Sequence, residues 1–146
     1  MSLEVLMDER AIHIQVCSIA LAMDRRDWGK LDELIAEDAT GDFGEDYHLT
    51  GRGEFVQLFK KFLGNCGPTQ HLLGNFVASV EGDNATSHCY VRDIHQGSGG
   101  RADQFLSTPG EYLDRWARTP AGWRLTHRTK HTFMMNGSID VLGVVP

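Results

Sequence analysis

The hydrophobic pattern of the chain changes at Pro68, and this change restricts the fold more than any other feature. Before Pro68, apolar residues recur at intervals of three and four, which is the spacing of amphipathic helices. After it they alternate, and turn signals stand at Glu81-Gly82-Asp83-Asn84 and Thr119-Pro120-Ala121-Gly122. The order predicts an α+β domain in which three N-terminal helices pack on one face of a curved antiparallel sheet.

The first half of the chain predicts the three helices. The first is expected over about residues 8–24, and the third over residues 55–63, where phenylalanines and leucines share one face. The second is expected to follow the N-cap Asp27 and to extend through Ile35. Between the second and third helices, Asp42-Phe43 and the segment 47–50 are expected to form a short hairpin.

The second half predicts long strands with defined faces. In the strand 85–95, His88 and His95 fall on opposite faces, because successive side chains of a strand alternate. In the last long strand, Trp123, Leu125, His127 and alternate residues to His131 share one face unless a bulge intervenes. We interpret His127 and His131 as structural or surface residues, although both could line a pocket mouth.

The totals limit the class of protein. The chain has 146 residues, with 14 Lys+Arg against 20 Asp+Glu, so its net charge is −6, and we see no basic stripe that would bind nucleic acid. We expect one domain over residues 1–146. The three cysteines form no CxxC motif, and no apolar run approaches the roughly 20 residues of a membrane span. We therefore expect a soluble, cytoplasmic protein that acts on a small molecule.

Two titratable residues stand where the predicted elements bring them to the space between helices and sheet. Asp24 directly follows Met23, so its carboxylate borders the buried face of the first helix. His71 leads into the strand-like run 76–80, and an imidazole can move protons near neutral pH. A buried carboxylate bonded to one imidazole nitrogen fixes the tautomer, which leaves the other nitrogen as a base. Asp24 and His71 are therefore a candidate catalytic pair.

Several stretches of the chain resemble one family in order and spacing: Ala22 to Trp28, Thr69-Gln70-His71, Asp93 to Gln96, Gly110-Glu111-Tyr112, and Gly122 to Leu125. They resemble the SnoaL-like branch of the nuclear-transport-factor-2-like superfamily, and within it scytalone dehydratase and hexachlorocyclohexane dehydrochlorinase. The resemblance covers roughly residues 8–135. It implies a cone-shaped α+β barrel that encloses a pocket, and a homo-oligomer, either a trimer or a dimer.

The resemblance also implies an activity: a lyase without metal or cofactor, in which Asp24 and His71 form the general base and His95 is the general acid. The expected reaction is loss of water, or less readily of halide, from a small cyclic or aromatic-like substrate. General acid–base catalysis of this kind contributes about 10²–10⁴-fold. Further residues are expected to contact the substrate: Met23, Phe43, Tyr47, Trp123 and Arg128.

The sequence departs from the dehydratase pattern. Two tyrosines that hold a water against the substrate carbonyl are replaced here by Met23 and Phe43. The carbonyl-polarising group is therefore absent or is supplied elsewhere, with Tyr47 as one candidate. The hydroxyl-binding serine and asparagine of that enzyme are absent as well, around Glu111 and Leu113.

Other functions stay open at this point. Asp24, His71 and His95 together form the ligand set of a non-haem Fe(II) site. The isomerase branch places its catalytic aspartate near Phe43, where Asp42 stands one position out of register. The same fold also serves non-catalytic binding domains, including the small subunits of ring-hydroxylating dioxygenases.

Overall fold

A computed structural model describes residues 1–143, which contain two α-helices, three short 3₁₀ helices and eight strands. The helices are α1 (Leu3–Arg25), α2 (Arg52–Leu63) and the 3₁₀ helices Trp28–Glu33, Gly99–Arg101 and Ile139–Leu142. The strands are β1 (Ile35–Asp42), β2 (His48–Thr50), β3 (Thr69–Glu81), β4 (Asn84–Gln96), β5 (Phe105–Ser107), β6 (Gly110–Thr119), β7 (Gly122–Thr132) and β8 (Asn136–Gly137).

The strands form one curved sheet that the helices cover on its inner face. The path β2-β1-β7-β6-β4 continues through β5 to β8, and β3 pairs with β4 on its other side. All pairs are antiparallel except β1 with β7, which is parallel. The α+β architecture predicted from the sequence is confirmed, and so are the turns that join β3 to β4 and β6 to β7.

The helices bury the faces that the apolar spacing predicts. On α1, Ile12, Val16 and Ile19 are at most 1% exposed, so this helix packs against the sheet along the predicted stripe. Within residues 1–143 no helix combines the length and apolar character needed to cross a membrane. The second predicted helix was wrong in extent: it is a 3₁₀ helix over Trp28–Glu33, and Ile35 instead begins β1.

A β-bulge in β7 reverses the face of its second half. Leu125 pairs with Trp116 and His127 with Arg115, so Thr126 is an extra residue without a partner in β6. Trp123 and Leu125 therefore face the interior, as do Arg128 and Lys130 further along the strand. His127 and His131 lie on the outer face, where they contact Thr40 and Glu111. The uninterrupted alternation that would have placed His127 beside Trp123 does not occur.

Gly110 lies where the backbones of β6 and β7 leave no room for a side chain at this position. A Cβ at this position would lie 1.8 Å from the carbonyl oxygen of His131. We expect Gly110→Ala to lower the free energy of unfolding by about 1–3 kcal/mol, the usual cost of overpacking. Urea unfolding measures the change. Gly100→Ala is the matched control, because a Cβ there meets nothing within 4 Å. Equal stability of the two variants would contradict the prediction.

Candidate active site

Asp24 lies at the end of α1, where its carboxylate accepts three hydrogen bonds from β3. The His71 ring donates from Nδ1 to Oδ1 at 2.6 Å, and the His71 amide donates to Oδ2 at 2.9 Å. The Thr69 hydroxyl also donates to Oδ1, at 2.9 Å. The predicted contact between Asp24 and His71 is therefore present, and the carboxylate is fixed from both the backbone and two side chains.

These contacts determine the tautomer of His71. A carboxylate can only accept, so the proton of the neutral imidazole is on Nδ1 and Nε2 carries a lone pair. The His71 side chain is 5% exposed and lies in the wall of the inner cavity. In its neutral form the His71 ring therefore presents the lone pair of Nε2, held in one orientation, to the cavity.

Arg26 fixes the position of the segments that carry Asp24 and His71, a role that sequence reasoning missed. It directly follows α1 and has a left-handed backbone conformation, with φ 57°, which directs its side chain back towards the C-terminal end of the helix. Its guanidinium donates to the carbonyls of Leu63 and Gly67 and, at 2.8 Å, to the hydroxyl of Thr69. Arg26 thus joins the ends of α1 and α2 to the start of β3. The sequence feature that could have identified this role is the position of Arg26 directly after the first helix.

His95 lies on the inner face of β4, next to His71. The two ring centroids are 5.5 Å apart and the rings are nearly perpendicular, at 89°. Nδ1 of His95 lies 3.0 Å from the Leu106 carbonyl oxygen, so in the neutral ring this nitrogen is the donor. Nε2 of His95 is consequently an acceptor as well. Both histidines present a lone pair.

Asp93, Thr108 and Lys130 form a second polar group on the wall of the cavity. Thr108 donates to Asp93 twice, from its amide at 2.7 Å and from its hydroxyl at 2.6 Å. Lys130 donates from Nζ to the carbonyl of Thr108 at 2.9 Å and to its hydroxyl oxygen at 3.0 Å. Sequence reasoning missed Lys130, because without the bulge in β7 its side chain would point outwards.

The cavity has a volume of about 280 Å³ and is mostly apolar. His71, His95, Asp93, Thr108 and Lys130 supply polar groups along its wall. The remaining lining residues are predominantly aliphatic or aromatic: Met23, Phe43, Tyr47, Leu58, Phe59, Phe62, Leu63, Leu106, Tyr112, Thr132, Met135, Ile139 and Leu142. Larger grooves of about 520 and 600 Å³ run over the outer face of the sheet. We place the candidate site in the inner cavity because His71, the histidine that is bonded to Asp24, lines it.

Three of the five predicted substrate contacts line this cavity, namely Met23, Phe43 and Tyr47. The other two are elsewhere. Trp123 is buried against α1, where its indole nitrogen donates to Asp8 at 3.0 Å. Arg128 is 1% exposed and donates twice to Asp114, at 2.8 Å each, so its charge is neutralised inside the protein. The predictions for Trp123 and Arg128 are corrected accordingly.

Asp42, the carboxylate of the isomerase interpretation, also lies away from the cavity. It is 46% exposed and accepts a hydrogen bond from His48 at 2.6 Å on the protein surface. Its neighbour Phe43 occupies the cavity wall instead.

Comparison with known proteins agrees with the fold. Residues 4–129 match the model of the SnoaL-like domain family. The chain belongs to this SnoaL-like family. An uncharacterized protein of Mycobacterium tuberculosis is 30% identical over 131 residues, which cover 89% of this chain and 88% of that protein.

Two solved structures illustrate the range of the SnoaL-like and nuclear-transport-factor-2-like fold. A predicted scytalone dehydratase from Novosphingobium aromaticivorans superposes with a TM-score of 0.85 at 21% identity, over 93% of this chain and 91% of that one. A hexachlorocyclohexane dehydrochlorinase superposes with a TM-score of 0.82 at 17% identity, over 93% and 92%. At these identities the likeness establishes the fold that this SnoaL-like protein shares with them.

Burial and hydrogen bonds shift the pKa values of three titratable groups in this SnoaL-like site. Burial alone raises the pKa of Asp24, but the hydrogen bonds from His71 and Thr69 outweigh it and hold that pKa below its ordinary value. Burial likewise raises the pKa of Asp93, but the hydrogen bonds from Thr108 and the positive charge of Lys130 together outweigh it and lower that pKa. Burial lowers the pKa of His95 from its ordinary 6.5, and the Leu106 carbonyl opposes this only in part. The site therefore holds two carboxylates and, at His95, a neutral imidazole.

The lowered pKa of His95 predicts a stability that depends on pH. In the unfolded chain His95 binds a proton near pH 6.5, whereas in the folded chain it binds one only at a lower pH. The contribution of His95 to the free energy of unfolding is therefore complete above pH 6.5 and is lost as the pH falls. We expect the free energy of unfolding to decrease between about pH 7.5 and about pH 5.5. In His95→Asn, whose amide can donate to Leu106 without titrating, this decrease should be smaller. Urea unfolding at both pH values measures it, and identical decreases would contradict the prediction.

Three residues of the cavity could hold a metal ion. His71, Asp93 and His95 each offer one ligand atom, and these atoms lie within 4.8 Å of one another. Asp24, which the sequence suggested as the carboxylate ligand, is instead behind His71 with both oxygens engaged. In such sites a ligating histidine usually donates its other nitrogen to a carboxylate or carbonyl, and both histidines do so here.

Proposed function

We propose that this protein is a cofactor-independent lyase that eliminates water from a small cyclic or aromatic-like substrate. The observation that carries the proposal is the 2.6 Å hydrogen bond from Nδ1 of His71, a residue of the wall of a mostly apolar cavity, to Asp24. This geometry supports a general base, because it fixes the orientation and tautomer of the imidazole in a place that excludes most water.

In the proposed reaction His71 Nε2 removes a proton from a substrate carbon next to a carbonyl. The electrons of that C–H bond form an enolate, and Asp24 stabilises the resulting imidazolium. The enolate then expels the hydroxyl group at the next carbon, so the C–O bond breaks and a conjugated C=C bond forms. The proton taken by His71 balances the hydroxide that leaves, and their sum is one water. The chain's own residues supply each proton transfer.

His95 is proposed to contact the departing oxygen. In its neutral form Nε2 accepts a hydrogen bond from the substrate hydroxyl and so orients the leaving group. To act as the general acid, His95 must first gain a proton. Because burial lowers its pKa, the imidazolium is a strong acid but a minor species at neutral pH. We therefore expect the elimination to slow as the pH rises above neutrality.

The cavity limits the size of the substrate. Its volume of about 280 Å³ is nearly twice that of an engineered apolar cavity, about 150 Å³, that binds one benzene ring. Phe43, Phe59 and Tyr47 supply aromatic walls, which suit flat rings. A compound of one or two fused rings with a carbonyl and a hydroxyl group meets these limits.

The test uses the β-hydroxy derivative of α-tetralone, a two-ring ketone whose dehydration gives the chromophore naphthol. We expect the protein to accelerate the appearance of naphthol, measured by absorbance, and to catalyse deuterium exchange at the acidic carbon of α-tetralone. Absence of both activities in this compound and in its one-ring analogues would refute the lyase. Co-purification with a larger iron–sulfur protein would then favour the non-catalytic small-subunit alternative.

The cluster of His71, Asp93 and His95 supports a second candidate, a metal-dependent activity in the same cavity. The nearby ammonium group of Lys130 opposes it, because a divalent cation would stand close to a like charge. Both oxygens of Asp93 are also engaged by Thr108. Elemental analysis of the purified protein decides: stoichiometric iron or zinc that is lost in His95→Asn would support the metal site, whereas metal-free protein with full lyase activity would exclude it.

A further inference from the structure

Lys130 is a cation inside the cavity whose charge is not paired directly. In the part of the chain that the structure describes, residues 1–143, no carboxylate oxygen lies within 4.0 Å of its Nζ. Arg128, a fully buried cation of the same strand, does have such a partner in Asp114. For Lys130 the nearest compensation is Asp93, which it reaches only through Thr108.

The ammonium group has hydrogen-bonding capacity left for a ligand. A lysine carries three N–H donors, and Thr108 accepts from two of them. These two bonds fix Nζ against the loop between β5 and β6, while the side chain lines the same cavity as His71 and His95. Among residues 1–143 the third donor has no acceptor, so it can bind an oxygen atom in the cavity.

The electrostatic surroundings favour a ligand that carries negative charge. Burial lowers the pKa of Lys130, and the charge of Asp93 opposes this only partly. An anionic oxygen beside Nζ would offset the free-energy cost of burying the ammonium charge. Electrostatic interactions are stronger in an apolar cavity than in water, so a charge that develops during the reaction gains more than a neutral group does.

We propose that Lys130 binds and polarises the substrate carbonyl oxygen, which makes the substrate an enolisable cyclic ketone. The inference rests on the proposed lyase function and extends it: His71 removes the proton, and the negative charge that appears on the enolate oxygen is stabilised by Nζ of Lys130. This assignment supplies the carbonyl-polarising group that Met23 and Phe43 cannot provide. The ring of Tyr47, the candidate suggested by the sequence, lines the same cavity and packs edge-on against Phe62.

The test measures binding, so that it does not depend on turnover. Naphthol serves as the probe because its anion resembles the enolate, and naphthalene is the matched compound without oxygen. We expect the native protein to prefer naphthol, and bound naphthol to show the absorption of its anion at a lower pH than free naphthol does. Lys130→Met should lower the affinity for naphthol by about 10- to 100-fold and leave naphthalene binding unchanged.

Two further variants separate charge from folding. Lys130→Gln keeps a donor without the charge, so it should bind neutral naphthol but lose the shift toward the anion. Lys60→Met removes an exposed lysine of α2 and should behave as the native protein. Urea unfolding verifies that each variant is folded.

The outcomes distinguish this inference from the proposed function. If folded Lys130→Met, or Lys130→Gln where the methionine variant is unstable, keeps the native preference and the spectral shift, Lys130 is not the oxygen-binding residue, whatever the lyase assay shows. If the native protein shows the preference for naphthol and the spectral shift, but His71 variants catalyse dehydration at the native rate, the proposed mechanism fails while the assignment of Lys130 stands.

Discussion

His71→Asn is expected to reduce dehydration by about 10²–10⁴-fold without unfolding the protein. The asparagine amide can take the place of Nδ1 and donate to Asp24, so the anchor at the end of α1 is kept while Nε2, the proposed base, is removed. Asp24→Asn changes the other residue of the same pair. Its amide can donate to the imidazole and impose the wrong tautomer, a change worth up to about 10⁴-fold in a comparable triad.

A second histidine–carboxylate pair provides the control. His88 contacts Glu111 at 2.6 Å, the same distance as in the proposed pair, but it lies on the outer face of β4. We expect His88→Asn to retain native activity. The measurement is the initial rate of naphthol formation from the β-hydroxy ketone, with deuterium exchange as an independent readout. If His71→Asn and His88→Asn were equally active, the base would have to be another residue.

The contact between Asp24 and His71 was predictable because each residue stands at a clear boundary in the sequence. Asp24 borders an apolar stripe of helical period, and His71 begins a run of period two. In an α+β fold those two boundaries meet, since the end of the first helix packs over the first long strand. Each boundary comes from a local pattern, and the packing of the layers brings the two together.

Lys130 was not predictable by the same reasoning, because its orientation depends on one unpaired residue. The bulge at Thr126 reverses every side chain that follows it in β7. No glycine or proline marks the position, so alternation counted from Trp123 assigns the wrong face. Sequence reasoning named another cation of this strand, Arg128, as a substrate contact, but that residue is paired with Asp114 and does not line the cavity.

The extent of β1 was missed for a related reason. Leu34 and Ile35 complete a plausible helical stripe after Trp28 and Leu31, although Ile35 in fact begins a strand. The pairing that decides the matter is with β7, about 90 residues later in the chain, where Ile35 pairs with Leu125. A short apolar run is compatible with both structures, and only the distant partner distinguishes them.

Arg128→Met is expected to lower the free energy of unfolding by about 3–5 kcal/mol, because it leaves the carboxylate of Asp114 buried without a partner. Both side chains of the pair are 1% exposed, and the two hydrogen bonds between them are each 2.8 Å long. The guanidinium also lies 3.9 Å from the ring centroid of Tyr112, which lines the cavity. For a domain whose total stability is about 5–15 kcal/mol, such a loss is large.

The double variant Arg128→Met with Asp114→Leu separates the charge from the packing. If the destabilisation comes from the unpaired carboxylate, removing both charges should restore most of the lost stability, since apolar residues of similar volume replace buried ion pairs at little cost. Lys30→Met, which breaks an exposed pair with Glu33, should change stability by less than about 1 kcal/mol. Urea unfolding compares all three proteins. A loss in Arg128→Met no larger than in Lys30→Met would mean that the buried pair does little for stability. In that case stability would not explain why a charged residue is buried at this position, and a role of Arg128 in binding would have to be considered again.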